Sequence, residues 1–402
     1  MTATSLVFEP NVGAHQAEYL LWVARAWERA RPAGRRLVIG APAELAARRP
    51  ELRATADRAG IELDLAAASE PRGSSLSTLT ALDRWTPLAD AVARHDAQRV
   101  VVQILDHYLA PLAARRPLPG VARLGGILFR PSLHYSEIGS PPESLGEQVR
   151  QRLKTALTRH ALRHPLLTDV LSLDPSAVPA LSRGTRARVR PLLDPAPPEV
   201  PSEGREAVRA RYGVEPGRQL VAFAGALDDR KGITRGLRAL AALRPDVAAR
   251  TAAVLAGRVA VSDRGEFDRA ITEAEAAGVQ VVLHDAYLSP EALAALVDAA
   301  DGLALPYDRH VGSSGFLVRA AASRTPVVSQ AYGWMGHAVR THGLGHTADP
   351  TDAAAFARAL EHALEVPRSD SDLADADAFV RPHTVDAFTA PILDVLAGPT
   401  RV

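Results

Sequence analysis

The feature that most constrains this chain is a rhythm. Short apolar runs alternate with longer Ala-rich spans of helical periodicity, first across residues 5–173 and again across residues 220–329. The runs of the first tract are residues 5–9, 36–39, 61–65, 99–105, 125–129 and 169–173; those of the second are 220–224, 252–255, 279–283, 303–305 and 327–329. Unbroken apolar runs separated by helices are strands buried on both faces, which requires a parallel sheet wound with helices on each side. The fold class is therefore α/β, in two Rossmann-like halves. Between them, Arg183, Arg186, Arg188 and Arg190 lead into LLDPAPPEVP, whose prolines continue neither a helix nor a central strand. The arginines read as a solvated face, with a phosphate or membrane-surface role left open. The expected domains are 1–195 and 196–375, followed by a closing helix over 376–402. Phe379, His383, Thr384, Phe388, Ile392 and Leu393 carry that helix's apolar spacing, after a polar, mobile stretch at 369–377.

With 402 residues there is room for two cores, and a net charge of +1 provides no global field toward nucleic acid. Zero cysteines exclude disulfides, thiolate metal sites and a cysteine nucleophile. No apolar run reaches the ~20 residues of a membrane span, and MTATSLVFEP lacks the pattern of a signal peptide. The expectation is a cytoplasmic protein, and the Ala- and Arg-rich composition suggests a GC-rich bacterial genome.

In parallel sheets, ligands bind in the loops leaving the C-terminal strand ends. In the first half those loops hold Gly13 and His15, then Asp106 and His107, then Ser132 and His134. A carboxylate and several imidazoles on one rim can hold a polyhydroxylated ligand or move a proton, although solvated loops of this composition are common. Arg72-Gly73-Ser74-Ser75 forms another polar turn. In the second half, GALDDRKGI places Arg230 and Lys231 in a glycine-bracketed loop that opens a helix. Gly312-Ser313-Ser314-Gly315 opens another. Cations and unpaired helix N–H groups on one edge suit a diphosphate. No Walker A motif, Gly-x-Gly-x-x-Gly fingerprint, His-Glu-x-x-His or Gly-x-Ser-x-Gly is present.

Three segments taken together resemble the GT-B glycosyltransferases, nearest to the retaining family 4. GALDDRKGI is similar to that family's Gly-x-Leu-x-x-x-Lys-Gly donor loop, VVLHDAYLSPEALAALVDAADGLALPY to its strand–helix–strand segment, and AAASRTPVV to its "EAMAxGxPVV". The resemblance implies two domains facing across a cleft, with the C-terminal helix crossing back to the first. It implies a nucleotide-sugar donor in the second domain, with Gly13, Arg230, Lys231, Gly312, Ser313, Ser314, Gly315 and Arg319 as donor contacts. A small or lipid-linked acceptor would lie against His15, His107 and Ser132, with His134 and Asp106 as catalytic candidates. It implies no metal, no cofactor beyond the donor, no nucleic-acid partner, and a peripheral membrane contact as an option. The family's two glutamates fall here on Val311 and Arg319. That departure keeps two other readings open: a silent GT-B binding or scaffold protein, and a sugar-phosphate enzyme such as a phosphorylase or epimerase. Arg319 itself fits either a phosphate contact or a structural ion pair.

Overall fold

A computed structural model describes residues 3–12, 14–65, 84–141, 143–196 and 203–398. Gly13 and the Arg72–Ser75 turn lie outside the described residues. The chain forms two compact units: Met1–His134, Pro142–Leu193 and Thr384–Val402 make the first, Tyr135–Pro141 and Asp194–His383 the second.

In the first unit, seven strands form one sheet: β1 (Ala3–Phe8), β2 (Arg35–Gly40), β3 (Glu62–Asp64), β4 (Ala97–Val102), β5 (Arg123–Leu128), β6 (Leu167–Ser172) and β7 (Arg188–Pro191). All pairs are parallel, in the order β3-β2-β1-β4-β5-β6-β7. Successive side chains of a strand point to opposite faces, so Leu6 and Phe8 enter one core layer while Val7 enters the other. Helix α1 (Ala14–Ala30) follows β1, and α2 (Leu145–Ala161) follows β5 with a Ser144–Glu147 capping box.

β7 falls within the basic run that the sequence reading took for a boundary. Arg183, Arg186 and Arg188 are exposed, as a solvated face requires, but Arg188 and Arg190 of β7 are also tied into ion pairs. Asp169, with a side chain 1% exposed, pairs with Arg123 at 2.8 Å, Arg188 at 3.1 Å and Arg190 at 3.2 Å. Burial alone raises the Asp169 carboxyl, and hydrogen bonds from Arg123, Thr168 and Arg188 bring it below the ordinary carboxylate range. The apolar run at 99–105 also ends early, since β4 stops at Val102 and Leu105–Tyr108 is a 3-10 turn.

The main sheet of the second unit has six parallel strands: β8 (Gln219–Ala224), β9 (Thr251–Ala256), β10 (Gln280–His284), β11 (Gly302–Leu305), β12 (Val327–Gln330) and β13 (Gly345–Ala348). Their order is β10-β9-β8-β11-β12-β13, which reverses direction at β8 and β11. β9 is buried at every residue, as a central parallel strand must be. Helix α3 (Ile233–Ala241) follows β8 and α4 (Gly315–Ala322) follows β11.

The polar stretch expected to be mobile is instead a helix, α5 (Asp370–Val380). It starts on a Ser369–Asp372 capping box and buries Ala376 and Phe379 in the second unit's core. The apolar spacing from Phe379 to Leu393 is therefore split between two helices. The break occurs where His383 Nδ1 lies 2.5 Å from the Asp194 carbonyl and the Ala196 N–H donates to the His383 carbonyl at 2.8 Å. Thr384 then caps α6 (Val385–Ala397), which belongs to the first unit. Phe388 of α6 packs on Tyr19 (ring centroids 4.5 Å apart) and Trp22 (5.7 Å). Gly125 of β5 makes room for α6, since a Cβ there would lie 3.0 Å from a Val395 methyl.

Candidate functional site: a buried lysine at the switch point

The second sheet reverses direction between β8 and β11, and the loops leaving their C-terminal ends pack on each other. The β8 loop turns through Gly225, makes the short strand Leu227–Asp228 and enters a 3-10 turn over Asp229–Lys231. Asp228 caps that turn by accepting the Lys231 backbone N–H at 2.9 Å. Gly232 adopts φ +65°, and a Cβ on it would sit 1.9 Å from the Pro306 carbonyl oxygen. Only glycine permits that approach. The two loops are stitched where the Asp308 N–H donates to the Arg230 carbonyl at 2.8 Å.

Lys231 is 5% exposed. Its Nζ donates to the Ala224 carbonyl at 2.8 Å, lies 4.1 Å from the Phe316 ring centroid and is 5.9 Å from that of Tyr307. Burial, and secondarily the neighbouring Arg230, push its pKa down to about 7, against a pull upward from Asp228. Arg230 has its guanidinium carbon 5.8 Å from the Tyr307 ring and its side chain 44% exposed.

Ser314 stands at the N-terminus of α4, buried, with its Oγ 3.2 Å from the Tyr307 hydroxyl. It makes no side-chain cap on the helix, so its hydroxyl is turned toward Tyr307 instead. Ser313 Oγ donates to Asp194 at 3.3 Å, and its carbonyl lies 3.1 Å from His310 Nε2. Arg309 adopts φ +51°, and its N–H is held by the Tyr332 hydroxyl at 2.6 Å. Thus Arg230, Lys231 and Ser314 share one Tyr307-centred cluster, with Gly312, Ser313 and Gly315 on the adjoining turn. Val311 packs against Gly333, whose Cβ would be 3.1 Å from the Val311 Cα. Arg319 lies half-buried midway along α4.

The first unit has its own cluster at the C-terminal ends of β1, β4 and β5. Asp106 accepts the Phe129 N–H at 2.8 Å on one carboxylate oxygen and the Arg130 N–H at 3.0 Å on the other. The carboxylate expected to be catalytic thus clamps the loop after β5 through these two bonds. His134, the other catalytic candidate, is fully buried with its Nε2 2.8 Å from Asp174, itself fully buried. Ser132 is buried, and its carbonyl accepts from Gln151 of α2 at 3.0 Å. His107 Nδ1 lies 3.4 Å from Asn11 Nδ2, which donates to Glu9 at 2.5 Å. Burial, helped by Arg84 and Arg130, pushes His107 down to about 4, so its imidazole is neutral at pH 7. His15 is exposed and sits on Tyr19 and Phe129 at 5.9 and 5.8 Å between ring centroids.

The sequence reading passed over Tyr307, Phe316 and Tyr332, and in the first unit Glu9, Asn11 and Asp174. Tyr307 carried a usable signal, since an aromatic directly after a C-terminal strand end is placed to line a ligand loop. Phe316 and Tyr332 carried none, because their roles arise only when separate loops meet. Among the described residues, no group of three or more His, Asp or Glu is placed to hold a metal ion.

Residues 204–378 match the family described as "Glycosyl transferases group 1". No curated protein matches the sequence. Among solved structures, WaaG, a glycosyltransferase involved in lipopolysaccharide biosynthesis, is 16% identical with a TM-score of 0.65, over 98% of this chain and 100% of that one. Sucrose-phosphate synthase from Thermosynechococcus elongatus is 16% identical with a TM-score of 0.64, over 97% of both chains. Anabaena HepE, solved with UDP, is 15% identical with a TM-score of 0.62, over 99% of this chain and 100% of that one. At such identities the likeness establishes fold. The resemblance to GT-B glycosyltransferases read from GALDDRKGI and its companion segments is thus borne out: residues 204–378 match the glycosyl transferases group 1 family, and the chain has the GT-B fold.

Proposed function

We propose that this protein transfers a hexose-like sugar from a nucleotide-diphosphate donor to a small or lipid-linked acceptor, with retention and without a metal. The observation that carries this reading is the convergence of Lys231, Arg230 and Ser314 on Tyr307 at the switch point of the second sheet. Breaking a sugar–phosphate bond leaves charge on the departing diphosphate. Lys231, Arg230 and the free N–H groups opening α4 are fixed in place to receive that charge before it forms. A UDP complex of Anabaena HepE and the family match of residues 204–378 support a nucleotide-linked donor.

The first unit's rim takes the acceptor in this reading, with His15, His107 and Ser132 as contacts. A neutral His107, backed by Asn11 and Glu9, can hold a sugar hydroxyl without competing for its proton. His134 and Asp106 are positioning residues that fix the loop after β5, through Asp174 and through two backbone N–H groups. Val311 and Arg319, in place of the family's glutamates, shift donor recognition toward the Tyr307 cluster.

The test is a thermal-shift panel of UDP-, GDP-, ADP- and dTDP-sugars, followed by product analysis with the one that binds. A bound donor raises the melting temperature by mass action. If no nucleotide sugar shifts the wild type, or if the shift survives Arg230→Ala with Ser314→Val, the assigned donor site is wrong.

A further inference from the structure

Helix α2 is inside out. Its exposed large apolar residues are Leu145 (80% exposed), Val149 (54%), Leu153 (66%) and Leu157 (39%). Four-residue steps on an α-helix drift by about 40°, so the four form one stripe sweeping about 120° of the helix and running about 18 Å along it. The opposite side faces the protein and is polar. Gln151 donates to the Ser132 carbonyl, Lys154 is half-buried, and Thr158 is buried with its hydroxyl on the Lys154 carbonyl at 2.8 Å. Burial is the main cause that lowers Lys154 below its ordinary pKa. A surface helix normally does the reverse, turning its apolar stripe to the core. Leaving four large apolar side chains in water while drying a lysine costs stability, which marks the outer face as one that is covered in use.

The charges beside the stripe indicate what covers it. Arg150, Arg152, Arg159 and His160 are exposed along its margins. The carboxylate on the helix, Glu147, is tied into the cap at Ser144 and lies 3.7 Å from Arg150. A second copy laid on this face would set arginines against arginines. An anionic bilayer offers phosphates at the depth where the arginines end and acyl chains where the leucines end.

We propose that α2 docks this protein on an anionic lipid surface. The helix lies in the headgroup plane with Leu145, Val149, Leu153 and Leu157 inserted and Arg150, Arg152 and Arg159 on lipid phosphates. No described helix is long and apolar enough to cross a membrane, so the contact is peripheral. Because the inner face of α2 carries Ser132 through Gln151, docking also brings the loop after β5 toward the headgroup layer. The proposal stands on α2 alone and does not depend on glycosyl transfer.

The experiment is co-sedimentation of the full chain with phosphatidylcholine vesicles, with and without about one phosphatidylglycerol in three lipids. Expected is binding to the anionic vesicles that weakens in high salt, with little binding to the neutral ones. Val149→Asp with Leu153→Asp should lower partitioning at least tenfold with the melting temperature unchanged, because both side chains are already in water. Arg152→Gln and Arg159→Gln should each lower it about fivefold on anionic vesicles only. Wild-type binding no better to anionic than to neutral vesicles overturns the proposal, as does an aspartate variant that binds like wild type. Light scattering that shows a dimer split by the aspartate variant, with no vesicle binding, also overturns it and assigns the face to a second copy.

Discussion

Replacing Lys231 with methionine tests the donor site through protons as well as affinity. The side chain is 5% exposed, and its pKa falls from an ordinary 10.5 to about 7, chiefly through burial. Above 10.5 the amine is neutral folded and unfolded, and its stability is whole. As pH falls toward 7 the unfolded chain takes up a proton that the folded one refuses. Stability therefore drops by up to about 1.4 kcal/mol per pH unit, roughly 5 kcal/mol in all, and levels off below 7. Lys231→Met keeps the packing on Phe316 and Tyr307 but has no proton to refuse, so relative to wild type it should gain several kcal/mol between about pH 10 and pH 7.

A bound diphosphate reverses the demand, because its charge draws the proton onto Nζ. At pH 8 a group with a pKa near 7 is about one-tenth protonated, and one raised above 9 is about nine-tenths protonated, so donor binding should take up roughly 0.8 proton. Calorimetry of the nucleotide sugar in two buffers of different ionisation enthalpy reads that number directly. Lys231→Met should abolish the uptake and weaken binding about 10- to 100-fold, the range for a hydrogen bond to a charged group. No proton uptake by the wild type together with undiminished affinity of the variant would refute the placement of the diphosphate at Lys231.

Other expectations follow from particular contacts. Gly232→Ala forces a methyl onto the Pro306 carbonyl at φ +65°, so the second unit should lose more than about 1 kcal/mol in denaturant unfolding, with donor binding falling in step. Asp174→Ala strands the buried His134 and uncaps Ser176 and should cost about 1–3 kcal/mol; Asp174→Asn, which still accepts from Ser176, should cost less by the same melt. His107 is held near 4, so its contribution to stability is complete above pH 6.5 and is lost as pH falls through 4. His107→Gln should flatten that acid limb by roughly 3 kcal/mol in urea titrations.

What the sequence determined by itself was the architecture. Unbroken apolar runs at 220–224 and 303–305 are satisfied only by central parallel strands, and the ligand edge follows because all such strands end on one side. The cationic loop and the serine turn were legible for the same reason, each being a local motif placed by its own strand. Tertiary structure decided everything that depends on a partner distant in the chain. Lys231 and Arg230 look alike in sequence, yet one is buried beside Phe316 and the other exposed near Tyr307, because Gly232 lets Pro306 approach. Asp106 and His134 look like surface chemistry, but backbone N–H groups at 129 and 130 and the Asp174 carboxylate claim them. Arg188 and Arg190 look like a free basic patch until Asp169 and Asp394 meet them across β7 and α6. The stripe on α2 was not read from the sequence at all, and its outward direction depends on what Gln151 and Thr158 find beneath them. Local patterns fix backbone elements, whereas the burial, charge state and orientation of a side chain depend on neighbours that only the folded chain brings close.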